Sequence, residues 1–257
     1  MSTLAIRDTT TMLRRNLRHM QRFPLMSIGT LGMPVLMLLL FVHVFGGSLG
    51  ATLAGGASYV DYLAPGILVM TVGAGAAWTA VNLCTDMGEG IVARFRTMAI
   101  SRYSVLTGQA LSSVLNTVVS LALVIGVALL AGFRPTAGLT GWLAAAGLLV
   151  LLALAFTWLG IAFGLAAKTP AGANSSSLPL QFLPFVSSAF VPTDSMSSGL
   201  AWVAENQPFT PIIDTLRGLL IGTPIGDSGY WAVGWCLVIT AVGHAWSRAL
   251  FNRDPSR

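Results

Sequence analysis

The chain has 257 residues, of which 54% are hydrophobic and 9% charged, and its formal net charge is +5. A soluble domain is usually about a quarter charged, so this composition, with a mean hydropathy of +0.76, excludes an ordinary water-soluble globule. The basic residues lie between apolar segments, which favours the charge rule of membrane proteins over nucleic-acid binding.

The N-terminal residues 8–23 have the pattern of an amphipathic helix. Leu13, Leu17 and Met20 fall on one helical face. The basic residues beside this face include Arg14, Arg15 and Arg18. An arginine-rich helix of this kind lies flat in the lipid headgroups, and the alternative is a charged tail that serves only to orient the first span.

Six span-length apolar segments follow, which we predict to be transmembrane helices. Their ranges are 25–45, 62–84, 107–131, 142–166, 178–193 and 230–251. The first is too long for a signal peptide and is interpreted as a retained span. The segments do not alternate as barrel strands do, and only helices otherwise satisfy their own backbone in lipid. The fold class is therefore an all-α membrane protein, a single domain over residues 1–257.

The basic residues predict the orientation. With the N-terminus inside, twelve of the fourteen lie on the cytoplasmic side, and only Arg134 and Arg217 lie outside. Both termini are then cytoplasmic, and residues 194–229 form the outer connection between spans five and six. That region is too apolar for an aqueous loop and too rich in proline for a full span. It predicts short re-entrant or extracellular helices.

The motifs of common enzymes do not occur in the sequence. Lys168 is the single lysine, and no GxxxxGKS/T pattern surrounds it, so we expect no nucleotide hydrolysis by a P-loop in this chain. HExxH, GxSxG and CxxC are missing as well, and the three histidines have no metal-ligand spacing. Cys84 and Cys236 lie in apolar runs, which indicates packing rather than a disulfide. We expect no catalytic residue, no metal and no bound cofactor.

A charged stretch, EGIVARFRTMAISR, interrupts the apolar runs at residues 89–102. Ile91, Phe95 and Met98 form an apolar stripe, and Arg94 and Arg96 lie off it. A short amphipathic helix here could dock into the groove of a partner, and the alternative is that it rests on the headgroups.

Three blocks of the sequence resemble one family. They are YLAPGILVMT (62–71), EGIVARFRTMAISRYSVLTGQAL (89–111) and FVPTDSMSSGLAWVAENQPFTPIIDTLRGLL (190–220). Together they resemble the permease subunits of type-2 ABC exporters, particularly the daunorubicin-resistance-type drug exporters, and the resemblance covers nearly the whole chain.

The resemblance implies partners and roles. Residues 89–98 would be the coupling helix that contacts a separate ATPase subunit, with contact residues Glu89, Ile91, Arg94, Phe95, Arg96 and Met98. Residues 8–23 would be the connecting helix. ATP and Mg would bind to two ATPase subunits, and two permeases would pair, as a homodimer or with a similar chain. Ala99 stands where the family often has proline, so the coupling helix could extend further here.

Polar residues at membrane depth are the candidates for a substrate pathway, because such groups usually face protein or a water-filled cavity. These candidates are His43, Asn82, Asn116, Gln181, Ser187 and Ser188. Hydrogen bonding between helices is the alternative for each.

The sequence therefore predicts an exporter permease of the bacterial cell membrane that moves an amphiphilic drug, antibiotic or lipid-like compound. Export of a lipid-linked glycan or lipid is an alternative within this fold. An ion-coupled secondary transporter is a second alternative, which the lack of acidic residues at mid-membrane disfavours.

Overall fold

The computed structural model describes the backbone of residues 24–47, 58–88, 102–193 and 196–253. Side chains are described for residues 32–47, 58–88, 106–193 and 196–252. Within these ranges the chain forms eight α-helices and no strand. The all-α fold class is confirmed.

The helices are numbered here in chain order. They are α1 (Pro24–Leu40, continuing as a π-helical turn, Phe41–Phe45), α2 (Tyr59–Gly88), α3 (Arg102–Leu130), α4 (Leu139–Ala166), α5 (Pro170–Phe182, followed by a 3₁₀ turn, Leu183–Val186), α6 (Ser198–Asn206), α7 (Phe209–Ile221) and α8 (Ser228–Arg253). The short helices α6 and α7 lie in the predicted outer connection.

Three of the described helices are both long and apolar enough to cross a membrane. They are Tyr59–Gly88, Leu106–Leu130 and Leu139–Ala166. The apolar part of α1 is shorter, Gly32–Phe45. Helix α8 has 26 residues, about 39 Å at 1.5 Å per residue, which is enough length for a hydrocarbon core of about 30 Å. The count of six spans stays a prediction.

Helix α5 begins at Pro170, before the apolar run that starts at residue 178. Thr169 has extended backbone, and its side chain accepts a hydrogen bond from the N–H of Gly172 at 3.1 Å. Pro170 occupies the first helical position, where a missing N–H has no cost. A threonine cap and a proline therefore start this helix within a polar stretch.

Helix α2 is the centre of the bundle and packs against α1, α3, α4, α5 and α7. Small residues allow its close approach to α4. A methyl group added at Gly164 would lie 2.7 Å from the carbonyl oxygen of Ala80, and one at Gly160 would collide with the carbonyl oxygen of Ala76. This close packing is typical of membrane helices, where small residues let backbones meet.

The termini of the long helices meet at two opposite ends of the bundle. At the Arg134 end, the N–H of Arg134 donates to Oδ1 of Asp61 at 2.8 Å, and the hydroxyl of Thr136 donates to the carbonyl of Ile221 at 2.8 Å. At the opposite end, named here the Lys168 end, Leu83 and Phe251 share one apolar cluster with Leu106.

Candidate functional site

A cavity of about 470 Å³ lies among α1, α2 and α5. Its walls are mainly apolar, and they carry two side-chain amides and no charged group. The lining residues are Met33, Ala74, Ala77, Trp78, Val81, Pro170, Ala171, Asn174 and Gln181. This volume falls within the ~300–1,000 Å³ typical of small-molecule sites, which combine apolar walls with a few polar groups.

Helix α5 presents polar side chains on the outside of the bundle. Asn174, Ser175 and Ser176 are exposed there. The hydroxyl of Ser176 donates to the carbonyl of Gly172 at 2.9 Å, within its own helix. These residues precede the predicted span at 178–193, and any of them that reach the hydrocarbon region need water or another protein surface beside them, because exposed polar groups are unfavourable against lipid.

The structure distributes the six candidate pathway residues over several places. Gln181 lines the cavity, and Asn82 follows the lining residue Val81 on α2 and is half-buried. His43 is exposed in the π-helical turn, where its Nδ1 lies 3.0 Å from the carbonyl oxygen of Leu39. Asn116 is half-buried on α3. Ser187 and Ser188 are buried in the turn after α5.

Both serines have hydrogen-bond partners in the protein itself. The hydroxyl of Ser187 donates to the carbonyl of Pro184 at 2.6 Å. The hydroxyl of Ser188 donates to Oδ1 of Asp214 at 2.7 Å. These bonds hold the turn at residues 187–190, at the Arg134 end of the bundle.

Sequence reasoning missed a polar network around the buried side chain of Arg217. The guanidinium pairs with Asp214 at 2.7 Å, donates to the carbonyl of Ser188 at 2.7 Å and stacks over the Tyr62 ring at 3.9 Å. We call Tyr62, Ser188, Asp214 and Arg217 the Arg217 network. The sequence feature that could have predicted this network is an aspartate and an arginine three residues apart within an apolar helix.

The predicted coupling and connecting residues lie outside the described residues. They are Glu89, Ile91, Arg94, Phe95, Arg96 and Met98 in one segment, and Arg14, Arg15 and Arg18 in the other. Gly88 and Arg102, which flank the first segment, lie at the Lys168 end. Among the described residues, no group of three or more His, Cys, Asp or Glu is placed to hold a metal ion.

Comparison with known proteins identifies the relatives of this chain. The family model for the ABC-2 type transporter matches residues 7–221. The daunorubicin resistance ABC transporter permease protein DrrB1 of Streptomyces coeruleorubidus is 30% identical over 238 residues, covering 92% of this chain and 82% of the relative. A probable doxorubicin resistance ABC transporter permease protein, DrrC of Mycobacterium tuberculosis, is 23% identical over 241 residues, covering 91% of this chain and 86% of the relative.

Proposed function

The chain belongs to the ABC-2 type transporter family of membrane permeases, and we propose that it is the permease subunit of an ATP-driven exporter of amphiphilic compounds. The cavity among α1, α2 and α5 is the observation that carries the proposal. Its volume suits a drug-sized molecule, and the apolar walls with Asn174 and Gln181 suit a compound with both apolar and polar parts.

The proposed orientation places the Arg134 end outside and the Lys168 end in the cytoplasm. Twelve of the fourteen basic residues then lie on the cytoplasmic side, as the charge bias of membrane proteins requires. The short helices α6 and α7 lie in the outer layer. Gly88 and Arg102, which flank residues 89–98 in the sequence, lie at the Lys168 end, so an ATPase subunit in the cytoplasm would contact that segment.

The chain itself would not hydrolyse ATP. Its sequence has no phosphate-binding GxxxxGKS/T loop, so nucleotide and Mg would bind to two copies of a separate ATPase subunit. In this arrangement the stripe of Ile91, Phe95 and Met98 would dock into the ATPase, and the connecting helix with Arg14, Arg15 and Arg18 would support the same contact.

A second copy of the permease would cover the exposed face of α1 and α5. Met33 and Gln181 line one cavity, so α1 and α5 are neighbours. Helices α1 and α5 also expose large apolar side chains, including Leu36 at 53% and Phe182 at 53%. A homodimer would shield the polar residues of α5 from lipid, would pack the apolar ones against a second helix surface, and would place the two cavities on either side of one route.

Export of a fluorescent amphiphile from cells tests the role of the cavity. Trp78→Ala removes the largest side chain that lines the cavity, and loss of an aromatic anchor typically costs ~2 kcal/mol or more in binding. We expect the concentration for half-maximal export to rise at least tenfold. The matched control is Trp231→Ala on α8, whose side chain is 64% exposed on the surface of the bundle.

The proposal requires that the two tryptophan variants differ in the concentration for half-maximal export. If Trp78→Ala exports with the affinity of the parent at equal expression, the cavity does not hold the substrate. An equal loss in Trp231→Ala would indicate a general effect on folding and would contradict the assignment.

A further inference from the structure

The Arg217 network joins three segments that are distant in sequence. Arg217 lies on α7, and it donates to the carbonyl of Ser188 in the turn after α5 and to the carbonyl of Tyr62 on α2, the latter at 3.3 Å through Nη2. The hydroxyl of Tyr62 also donates to the carbonyl of Ser188 at 2.8 Å. Asp214 accepts from both Ser188 and Arg217, at 2.7 Å each.

We propose that the Arg217 network is a latch that holds the turn at residues 187–190 closed at the Arg134 end of the cavity-lining helices, and that this latch opens during export. The inference rests on the proposed function, because it assigns the network to the outer exit of the exporter. Asp214 and Arg217 are thus positioning residues and do not contact the substrate in the cavity.

The position of the network supports this role. Both α2 and α5 line the cavity and also lead to the network. Tyr62 precedes the lining residue Ala74 by twelve residues, about 18 Å along the helix. On the other side, Ser188 is seven residues beyond Gln181. A compound that leaves the cavity towards the Arg134 end therefore passes the turn that the network holds.

The same turn is also packed by apolar contacts. The Phe190 ring lies 4.6 Å from the Phe41 ring and 4.7 Å from the Phe185 ring, and Ala189 contacts α2 closely at Gly66. These contacts fill the space between α1 and α2. They have no directional bonds of their own, so hydrogen bonds fix where the turn lies. The hydroxyl of Tyr59 donates to the carbonyl of Phe190 at 3.3 Å, and the N–H of Ser188 donates to the hydroxyl oxygen of Thr210 at 3.4 Å. The bonds from Arg217 and Tyr62 to the carbonyl of Ser188 are the shorter ones, at 2.7 and 2.8 Å.

The network is built from bonds that water can replace. The side chain of Asp214 is 34% exposed, whereas that of Arg217 is 10% exposed, so one edge of the ion pair already reaches the surface. Polar groups that separate into water exchange protein hydrogen bonds for water hydrogen bonds at small net cost. Replacing a buried ion pair by well-packed apolar side chains is often neutral or stabilising, so a permanent closure would not require an ion pair.

Exposure of Ser187 reports the state of the latch. This residue is fully buried in the turn and is not a member of the network. Cysteine is close to serine in size, and any effect of changing its bond to Pro184 is shared by every variant compared. The reporter is Ser187→Cys in a background with Cys84→Ala and Cys236→Ala, labelled by a membrane-impermeant maleimide. The reagent is added to intact cells and, separately, to inside-out vesicles, so the measurement works in either orientation. Leu200→Cys on α6, which is 52% exposed, calibrates access to this end of the bundle.

Two arginine variants are compared in this background. Arg217→Gln removes the ion pair and the donors to two carbonyls, and we expect the reporter to react at least tenfold faster. Arg134→Gln is the matched control, because within the described part of the chain its guanidinium donates to the nearby carbonyls of Leu129 and Phe133 and to no distant segment. In Arg134→Gln the reporter cysteine should react at the same rate as in the parent chain. Asp214→Asn keeps the guanidinium and should give a smaller increase, which tests the latch independently if Arg217→Gln fails to insert.

The second comparison adds an ATPase subunit captured from cells on the tagged chain, which the proposed function calls for. ATP hydrolysis by the bound ATPase should accelerate labelling of Ser187→Cys in the parent chain. It should increase the labelling rate little in Arg217→Gln, where the latch is already open. An unchanged rate in both Arg217→Gln and Asp214→Asn overturns the latch, as does an equal increase in Arg134→Gln. The latch is also overturned if the labelling rate of the parent reporter does not change when the bound ATPase hydrolyses ATP. If no ATPase binds, the exporter proposal fails, whereas the comparison of the arginine variants still decides whether the network holds the turn.

Discussion

Replacing Gly160 by alanine measures how far the fold depends on close approach of α2 and α4. Alanine usually stabilises a helix by about 1 kcal/mol relative to glycine. At Gly160 the added methyl group would collide with the carbonyl oxygen of Ala76 and lie 3.2 Å from its carbonyl carbon. The obstacle is backbone in the central helix, which has no rotamer to adopt, so one of the two helices must move.

The matched variant is Gly147→Ala on the same helix, where nothing lies within 4 Å of the added methyl group. Both variants gain the same helix propensity, so their difference isolates the cost of overpacking, typically about 1–3 kcal/mol. For a chain of this size, that corresponds to a melting temperature roughly 2–12 °C lower for Gly160→Ala than for Gly147→Ala. The assay is thermal unfolding in detergent, followed by tryptophan fluorescence.

Equal melting temperatures for the two variants would refute this reasoning, because they would show that α2 and α4 do not meet at Ala76. A loss in Gly147→Ala as large as that in Gly160→Ala would also refute it, since nothing opposes a methyl group at position 147.

Three further predictions concern the orientation and the partner. Single cysteines in a background without Cys84 and Cys236 should be labelled from outside at position 227 and not at position 94, and the reverse pattern would invert the topology. The purified chain alone should hydrolyse no ATP, and turnover free of contaminating ATPase would contradict a two-subunit exporter. Phe95→Ala should reduce capture of the ATPase by about tenfold or more, since aromatic anchors commonly contribute ~2 kcal/mol or more. Arg96→Ala should be milder and more visible at low ionic strength. Normal ATPase capture and export by Phe95→Ala would leave the stripe as a headgroup anchor only.

The sequence was sufficient for the helical class because apolar runs of span length have few alternatives. The runs at 62–84, 107–131 and 142–166 coincide with the cores of α2, α3 and α4. Hydropathy failed to locate the start of α5, because the first turns of that helix are polar. The start of this helix is indicated instead by the capping residue Thr169 and by Pro170 at the first helical position, a pattern that a hydropathy profile does not detect.

The candidate site was less accessible to sequence reasoning because it depends on contacts between distant segments. Gln181 could be selected as a polar residue in an apolar run, but its neighbour Trp78 resembles any other apolar residue of α2. Similarly, Asp214 and Arg217 could be paired from their spacing, since side chains three residues apart on a helix are neighbours. Their contacts with Tyr62 and Ser188 require the packing of α7 against α2 and the turn after α5.

Transport in proteoliposomes tests most directly whether this chain is the permease of an ATP-driven exporter. The purified chain and the proposed ATPase partner, captured from cells on the tagged chain, are reconstituted together and separately, and movement of a fluorescent amphiphile is followed after addition of ATP and Mg. We predict transport only when both subunits are present, only with ATP, and with a lower apparent affinity in Trp78→Ala. Transport by the chain alone, driven by an ion gradient and indifferent to ATP, would contradict the account and would indicate a secondary transporter.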